Sequence, residues 1–263
     1  MPSETIETDS HTLVTIACLS DNYAFLLQDK KSGAVALIDV PEAAPIKAEL
    51  NARGWTLDQI WLTHHHDDHI DGLPELIADY PARVYGAAAD SHRLPPLDVA
   101  LGEGDRFTLG ETEVQVSDVS GHTLGHIAFF APAAQAAFTA DSLMALGCGR
   151  LFEGTPAQMH ASLAKTADWP DDTLICSGHE YTKSNANFAI TVDPENAELI
   201  ARIRDIDSAR AAGRFTVPSQ IGLERATNPF LRAHTAGVRA AVGMATASDV
   251  DVFTEIRSRK DRF

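Results

Sequence analysis

The sequence predicts an α/β protein with a strand-rich domain over residues 1–179 and a smaller helical domain over residues 180–263. Three observations support this interpretation. Short apolar runs separated by turn residues recur up to about residue 179, which is typical of strands. Beyond that point such runs stop, and longer segments with helical spacing follow. The length of 263 residues also suits one large domain followed by a small one.

The first third of the chain alternates predicted strands and helices. Ile46 and Leu50 lie four residues apart and Gly54 follows them, which indicates a helix over residues 41–53 that ends at the glycine. A second, shorter helix is predicted over 70–80, where Pro74 is tolerated in the first turn. Apolar runs predict strands at 13–18, 23–28, 34–40, 59–63 and 84–85.

The rest of the chain divides at about residue 180. Gly110 lies between two alternating runs and predicts a hairpin, whereas residues 87–101 show no clear period. A helix is predicted over 157–168, with Thr155 as a candidate cap and Pro156 at an early helical position. Further strands are predicted at 127–130, 136–139 and 173–176. Helices are predicted at 182–192, 194–212, 234–242 and 247–258, with a loop containing Pro218, Gly222 and Pro229 between the second and third.

Composition restricts the partners of the protein. The net charge is −16, from 37 acidic and 21 basic residues, and such a surface repels nucleic acid and anionic membranes. No apolar run approaches the length of a membrane span, and the N-terminus has no signal-peptide pattern. The three cysteines are widely spaced and odd in number, which argues against a disulfide framework. We therefore expect a cytoplasmic protein with no nucleic-acid or membrane partner. We also expect a monomer.

A cluster of histidines and aspartates follows the predicted strand at 59–63. Side chains alternate along a strand, so His64 and His66 should share a face while His65 points the opposite way. After the strand the chain must turn, and Asp68 and His69 could then face the same point. Imidazole and carboxylate groups together favour zinc, iron or manganese. A tag is a poor alternative, because tags normally lie at a terminus.

Three more potential ligands follow apolar strands in the same way: His122, Asp141 and His179. Each lies where a strand passes into a loop, the position from which rigid scaffolds present reactive groups. Taken singly, such a histidine is more often an ordinary hydrogen-bonded residue, and such an aspartate often caps a turn. Together they raise the number of ligands to seven, which would allow two ions to take three ligands each and share one carboxylate. The other four are His64, His66, Asp68 and His69.

These elements resemble those of the hydroxyacylglutathione hydrolases, or glyoxalase II enzymes, within the metallo-β-lactamase superfamily. The metal motif at 64–69 (HHHDDH) with the later His, Asp and His is similar to the signature of the whole superfamily. Other segments resemble the narrower family over nearly the whole chain. These are residues 19–23 (LSDNY), 138–142 (FTADS), 147–154 (GCGRLFEG), 178–182 (GHEYT), 228–232 (NPFLR) and 259–263 (RKDRF).

The resemblance implies a four-layer αββα metallo-β-lactamase sandwich with a small C-terminal helical domain. It also implies two divalent metal ions, with zinc favoured and iron or manganese as alternatives. One ion would be held by His64, His66 and His122, and the other by Asp68, His69 and His179. Asp141 would bridge the two ions.

The implied reaction is hydrolysis of S-D-lactoylglutathione to glutathione and D-lactate, the second step of methylglyoxal detoxification. A hydroxide shared by the two ions would attack the thioester, with Asp68 and Asp141 as the catalytic carboxylates. Basic residues at the end of the chain would bind the glutathione part. The implied substrate contacts are Arg150, Tyr181, Asn185, Arg257 and Lys260.

The sequence departs from the family pattern at a few positions. Phe152 lacks the hydroxyl of a tyrosine found in many relatives, and Asp67 replaces a common tryptophan. Ala140 replaces a glycine, which we expect to be a minor change. His126 could support a metal ligand or could simply be a packed core histidine.

Three rival interpretations remain at this point. Another hydrolase of the superfamily would act on lactones, β-lactams or RNA, but the acidic charge argues against RNA. A persulfide dioxygenase of the same fold would use one iron on His64, His122 and Asp141, but it typically lacks the long helical segment with a basic ending. The third rival, a non-catalytic metal-binding module, fits poorly with seven intact ligands.

Overall fold

Two mixed β-sheets face each other in the computed structural model, which describes residues 3–263. The strands of the first sheet, in order across it, are β1 (Ser3–Glu7), β2 (His11–Cys18), β3 (Asn22–Asp29), β4 (Val35–Ile38), β5 (Gln59–Trp61), β6 (Arg83–Ala87) and β7 (Val99–Leu101). The second sheet runs β15 (Ser219–Gln220), β14 (Leu174–Ser177), β11 (Ala136–Ala140), β10 (Ile127–Ala131), β9 (Thr112–Asp118) and β8 (Arg106–Leu109). A separate hairpin pairs β12 (Leu143–Met144) with β13 (Gly147–Cys148).

Helices are present in both parts of the chain. They are α1 (Ala43–Arg53), α2 (Asp67–Ile70), α3 (Leu73–Asp79), α4 (Pro156–Ala164), α5 (Thr182–Val192), α6 (Ala197–Ala211), α7 (Ile221–Thr227), α8 (Ala236–Val242) and α9 (Asp249–Arg262). Short 3-10 segments occupy Ala88–Asp90, Pro132–Ala134 and Lys165–Asp168. No helix of the described part combines the length and apolar character that crossing a membrane requires.

The strands of the second sheet divide their side chains between two hydrophobic cores. Phe129 and Phe138 point towards the first sheet, where their rings lie 5.3 Å and 5.9 Å from the ring of Trp61. Their neighbours Phe130 and Ala137 belong to a second core shared with α4, α5, α8 and α9. Because strand residues alternate between faces, one sheet can pack against a sheet on one side and helices on the other. With α1 and α3 on the outer face of the first sheet, this arrangement confirms the predicted αββα sandwich.

The sheets bring several strand ends to one edge of the sandwich. β4 and β5 are parallel neighbours in the first sheet, and β11 and β14 are parallel neighbours in the second. Carboxyl ends of parallel strands meet at the same edge of a sheet, and ligands bind there in many α/β proteins. The segments that follow β5, β11 and β14 contain six of the seven predicted metal ligands, and the seventh, His122, lies in the segment after β9.

The local signals for two helices are confirmed. Gly54 follows α1 with a φ of +66° and forms its C-cap, a left-handed conformation that glycine adopts without steric cost. Thr155 and Gln158 form a reciprocal capping box at the start of α4. α4 itself ends at Ala164, and the remaining residues of the predicted helix form a 3-10 segment.

The interpretation of the C-terminal part needs two corrections. Strands do not stop at residue 180, because Ser219 and Gln220 form β15 and pair with β14 at the edge of the second sheet. The segment between Pro218 and Pro229, predicted as a loop, contains α7. Both elements are too short to show a period in the sequence, and their hydrogen-bond partners lie far along the chain. For the same reason β1 and the β12–β13 hairpin escaped prediction.

A buried polar network attaches α6 and α7 to the β12–β13 hairpin. The guanidinium of Arg202 pairs with the carboxylate of Glu224, and both side chains are almost fully buried. The other oxygen of Glu224 accepts a hydrogen bond of 2.8 Å from the backbone N–H of Leu146 in the hairpin turn. Asn228 donates to the carbonyl oxygens of Met144 and Gly147 at 3.1 Å and 3.0 Å. The network thereby determines the shape of this turn.

Glu224→Ala should destabilise the protein strongly, because it leaves the Arg202 guanidinium buried without its counter-charge. We expect the free energy of unfolding to fall by about 3–5 kcal/mol in denaturant titrations. The matched control is Glu255→Ala, which removes a partly exposed carboxylate 2.8 Å from Arg259. That change should cost less than about 1 kcal/mol. Equal losses in the two variants would contradict the assigned importance of the network.

Candidate metal centre

Three ring nitrogens converge at the end of β5. Nε2 of His64 lies 3.2 Å from Nδ1 of His66, which lies 3.0 Å from Nε2 of His122. His122 comes from the segment after β9, so the two sheets contribute to one group. A neutral imidazole offers one lone pair and one N–H, and three nitrogens directed at one point suit a cation better than mutual hydrogen bonding.

A second group of ligand atoms lies beside the first. Nε2 of His179 lies 3.4 Å from Oδ2 of Asp68, and Nε2 of His69 lies 3.9 Å from the same oxygen. His179 follows β14, whereas Asp68 and His69 belong to α2, which follows β5 of the first sheet. The ligand atoms within each group all lie within 4.8 Å of one another.

Asp141 lies between the two groups. Its Oδ2 is 3.4 Å from Nε2 of His122 and 3.3 Å from Nε2 of His179, and its Oδ1 is 3.6 Å from Nε2 of His69. Among the described residues, Oδ1 of Asp141 and Nε2 of His69 are buried without a hydrogen-bond partner. Buried polar atoms are normally paired, so these two atoms, which face each other without a partner, are suited to bind a cation between them. All seven predicted ligands therefore meet at one place, and the donor set fits a pair of metal ions.

Burial lowers the pKa of some histidines of the cluster, whereas nearby carboxylates raise the pKa of others. Burial lowers the pKa of His64, His66 and His122, so these imidazoles remain neutral with a free lone pair. Burial opposes the charge of His179 too, but Asp141 and the nearby carboxylates outweigh it and raise its pKa to about 9. The site thus attracts positive charge, which metal ions would supply in place of protons.

The buried carboxylate of Asp141 shows the same attraction. Burial alone would raise its pKa, but the imidazoles of His179 and His69 hold it well below the usual range. A carboxylate that stays ionised in a buried position is well suited to contact two cations at once.

The outer nitrogens of the histidines are held by hydrogen bonds that orient the rings. Nδ1 of His122 donates to the carbonyl oxygen of Arg150 at 2.7 Å, since a carbonyl can only accept. Nδ1 of His69 lies 2.8 Å from Oδ2 of Asp39, and Nδ1 of His179 lies 2.9 Å from Oδ1 of Asp21. Such contacts fix the tautomer and leave Nε2 as the available ligand atom.

None of these supporting residues was predicted from the sequence to have a role in the site. Asp39 lies within the predicted strand at 34–40, and its carboxylate also accepts hydrogen bonds from the backbone and hydroxyl of Thr63 at 2.9 Å and 2.8 Å. Asn22 donates to Oδ2 of Asp68 at 2.9 Å. A polar residue in a left-handed conformation at a strand end, as at Asp39 with a φ of +57°, is a signal of function, but it is visible only in the structure.

The remaining nearby residues lie outside the cluster. Nδ1 of His65 lies 2.8 Å from Oδ2 of Asp90, away from the predicted ligands. His126 is fully buried and stacks on His64 at a centroid distance of 4.6 Å, and burial lowers its pKa to about 3. Asp67 is exposed in the first turn of α2.

A cavity of about 640 Å³ opens over the cluster. Its wall includes His66, Asp68, His122, Asp141 and His179. The same wall contains every predicted substrate contact, namely Arg150, Tyr181, Asn185, Arg257 and Lys260. The structure therefore brings the ligands and the predicted substrate residues together around one space.

The predicted substrate contacts differ in how firmly their side chains are held. Tyr181 stacks on His179 with centroids 4.7 Å apart and planes 5° apart. Arg257 is buried and donates to the carbonyl oxygen of Cys148 at 2.9 Å. Asn185 is also buried and donates to the carbonyl oxygen of Ala145 at 3.0 Å, whereas Arg150 is exposed.

Comparison with known proteins places these features in a family. The family model for the metallo-beta-lactamase superfamily matches residues 20–179, and the model for the hydroxyacylglutathione hydrolase C-terminus matches residues 180–263. A hydroxyacylglutathione hydrolase from Ruegeria pomeroyi is 64% identical over 251 residues, which cover 95% of this chain and 98% of that protein. The chain belongs to the hydroxyacylglutathione hydrolase family. It is therefore a hydrolase.

Solved structures agree with the fold of this family member. ETHE1 from Myxococcus xanthus superposes with a TM-score of 0.65 at 23% identity and covers 98% of this chain and 90% of its own. TTHA1623, solved in a di-iron-bound form, has a TM-score of 0.54 at 30% identity over 64% of this chain and 91% of its own. The predicted family and fold are confirmed.

One expectation about a departure from the family pattern was wrong. Ala140 directly precedes Asp141 and has a φ of +40°, in the left-handed region that glycine adopts freely. A side chain with a Cβ is strained there, so the exchange of glycine for alanine is not minor in this chain. The strain lies next to the central carboxylate of the cluster.

Ala140→Gly should be much better tolerated than the same change at Ala137, three residues earlier in β11. Ala137 lies in the same strand with ordinary strand geometry and is also buried, so it is a matched control. We expect the free energies of unfolding of the two glycine variants to differ by about 1–2 kcal/mol in favour of position 140, because only there is left-handed strain relieved. Equal destabilisation would show that Ala140 is unstrained.

Proposed function

We propose that the protein hydrolyses hydroxyacyl thioesters of glutathione, and S-D-lactoylglutathione in particular, to glutathione and the free hydroxy acid. One observation carries this proposal: five residues of the seven-residue candidate metal cluster line the same cavity as the basic side chains of Arg257 and Lys260. The first feature suits hydrolysis of an acyl group, and the second suits an anionic substrate. Relatives with up to 64% sequence identity to this chain are named hydroxyacylglutathione hydrolases, and that name supports the same substrate class.

The proposed cofactor is a pair of divalent metal ions, with zinc favoured and iron or manganese as alternatives. One would be held by His64, His66 and His122, the other by Asp68, His69 and His179, and Asp141 would contact both. Nitrogen and oxygen donors of this kind accept all three metals, and the di-iron form of TTHA1623 is in keeping with that range. When bound, such ions lower the pKa of water and polarise a carbonyl group.

Two carboxylates have proposed catalytic roles. Asp68 is partly exposed to the cavity, and the Asn22 amide holds one of its oxygens. We propose that Asp68 orients the attacking water and accepts its proton. Asp141 remains ionised because of the surrounding imidazoles and keeps those rings in place. The leaving group needs little acid assistance, since thiols have a pKa of about 8.5.

The proposed substrate contacts recognise the glutathione part. Glutathione carries two carboxylates and one ammonium group, and a protein with a net charge of −16 must attract it through a local basic patch. Arg150, Arg257 and Lys260 supply that patch. Tyr181 and Asn185 line the cavity next to His179 and the β12–β13 hairpin, where they can pack against and hydrogen-bond to the peptide.

The proposed metal ligands and most of the proposed substrate contacts lie in different proposed domains. Residues 1–179 contain all the proposed ligands, and residues 180–263 contain four of the five proposed substrate contacts. We also propose a cytoplasmic monomer with no nucleic-acid or membrane partner. The three cysteines are free and buried, which is in keeping with a reducing compartment.

Asp141→Ala should abolish most thioester hydrolysis and reduce metal content. Loss of a contact behind a ligand typically costs about 10- to 100-fold in activity or metal affinity, and loss of a ligand shared by two ions should exceed that. The measurements are kcat on S-D-lactoylglutathione and metal analysis of the same sample. Asp79→Ala, which removes an exposed carboxylate at the end of α3 and outside the cluster, is the control. Full activity of the Asp141 variant would exclude a shared carboxylate.

Lys260→Met should raise KM for S-D-lactoylglutathione about 10-fold or more and leave kcat nearly unchanged. A contact with a carboxylate far from the thioester contributes the same binding free energy in the ground state and in the transition state, so its loss changes KM and not kcat. A hydrogen bond to a charged group contributes about 1.5–3 kcal/mol. Lys183→Met removes the same charge from an exposed site paired with Asp207 and should not alter KM. An unchanged KM in the Lys260 variant would contradict the assignment of the glutathione site.

A further inference from the structure

Lys260 differs from the other cations of the cavity in having no acidic partner. Nη2 of Arg257 lies 2.9 Å from Oδ1 of Asp261, and Nε of Arg150 lies 3.7 Å from the same oxygen. Among the described residues, no carboxylate lies within 4.0 Å of Nζ of Lys260. Its polar contacts are long ones to Ser184, 3.3 Å to the carbonyl oxygen and 3.5 Å to the hydroxyl. In a chain with 37 acidic residues, an unpaired ammonium group requires an explanation.

Two aromatic rings surround this ammonium group. Nζ lies 5.3 Å from the ring centroid of Phe188 and 5.4 Å from that of Phe263. The two rings are 5.5 Å apart and inclined by 67°. An ammonium group within about 6 Å of a ring centroid is attracted by the negative face of the ring. The rings therefore stabilise the charge of Lys260 where a carboxylate would otherwise be expected.

The two phenylalanines are present for different reasons. Phe188 is 1% exposed and packs in the second core, where its burial alone accounts for its position. Phe263 is 64% exposed and therefore gains little from burial. Its ring contacts the ammonium group of Lys260 and packs edge-to-face with the ring of Phe188. These contacts, rather than burial, account for the position of Phe263.

We propose that Phe263 is a positioning residue of the substrate site, whose ring holds the Lys260 ammonium group towards the cavity so that it can receive a carboxylate of the thioester. This inference rests on the proposed function and deepens it by naming how the anion contact is prepared. Phe263 itself need not touch the substrate.

An aromatic partner has an advantage over an acidic one at this position. A carboxylate beside Lys260 would compete with the carboxylate of the ligand for the same ammonium group. A ring restricts the flexible lysine side chain and stabilises its charge without occupying its N–H donors. Burial and the neighbouring Arg257 lower the pKa of Lys260 to about 8, so support for the charged form matters near neutral pH.

The first test compares Phe263→Leu with Phe263→Tyr. Leucine keeps an apolar side chain but removes the ring, and tyrosine keeps the ring. We expect Phe263→Leu to raise KM for S-D-lactoylglutathione about 2- to 5-fold, the range of an exposed cation–π contact, with kcat unchanged. Phe263→Tyr should restore the original KM. Arg262→Gln changes an exposed neighbouring residue that is hydrogen-bonded to Ser258, and it controls for disturbance of the end of α9. The KM of this variant should equal that of the parent protein.

The second test asks whether the effect acts through Lys260. A neutral thioester such as S-lactoyl-N-acetylcysteamine has no carboxylate, so Phe263→Leu should leave its kcat/KM unchanged. In the Lys260→Met background, Phe263→Leu should add no further increase in KM, because contacting residues are not additive. An unchanged KM in the single variant, an equal loss on the neutral thioester, or full additivity would each overturn the inference.

Calorimetric binding of glutathione separates this inference from the proposed function. Glutathione carries both carboxylates but no thioester, so its affinity does not depend on hydrolysis. If the parent protein binds glutathione and Phe263→Leu weakens binding about 2- to 5-fold, the positioning role holds even when no hydrolysis is seen. If the parent does not bind glutathione, the inference fails as well.

Discussion

The attraction between the carboxylate of Asp141 and the imidazoles around it is the constraint on which the site depends. Histidines from three separate segments lie within 3.6 Å of its two oxygens. An ionised carboxylate is costly to bury unless positive charge or hydrogen bonds compensate it. The segments after β5, β9, β11 and β14 must therefore meet closely, and the facing sheets supply the rigid frame that makes them do so. Asp39 and Asp21 extend the same pattern outward, since each holds a ring that faces Asp141.

The β12–β13 hairpin links this centre to the proposed glutathione site. On one side it follows Asp141 directly, and on the other it leads to Arg150, whose carbonyl oxygen orients His122. The buried Glu224 holds its turn, and Arg257 binds the carbonyl oxygen of Cys148 at its end. One short hairpin is thus in contact with the metal-binding cluster and with the C-terminal helices. The separation between the candidate metal centre and the proposed glutathione site is accordingly set by a rigid element, which would favour accurate positioning of a substrate that reaches both.

The metal-ligand residues of the candidate site could be predicted from the sequence, but the residues that support them could not. The ligand types and their location at strand ends follow from residue chemistry and from strand alternation, and the structure brings all seven together. The supporting contacts of Asp39 and Asn22 could not be foreseen, because their partners lie 24 to 46 residues away. The strain at Ala140 was likewise hidden, since a backbone dihedral angle depends on how β11 enters the cluster.

By itself the sequence determined what depends on neighbours in the chain. These features are the strand and helix periods, the glycine cap of α1, the capping box of α4 and the set of metal-binding residue types. Only the tertiary structure decided what depends on distant pairing: that Ser219 and Gln220 join the second sheet, that Glu224 is buried against Arg202, and that Lys260 faces aromatic rings. The physical reason is that local signals act over one or two turns of chain, whereas burial and charge pairing are set by the packing of segments far apart in the sequence.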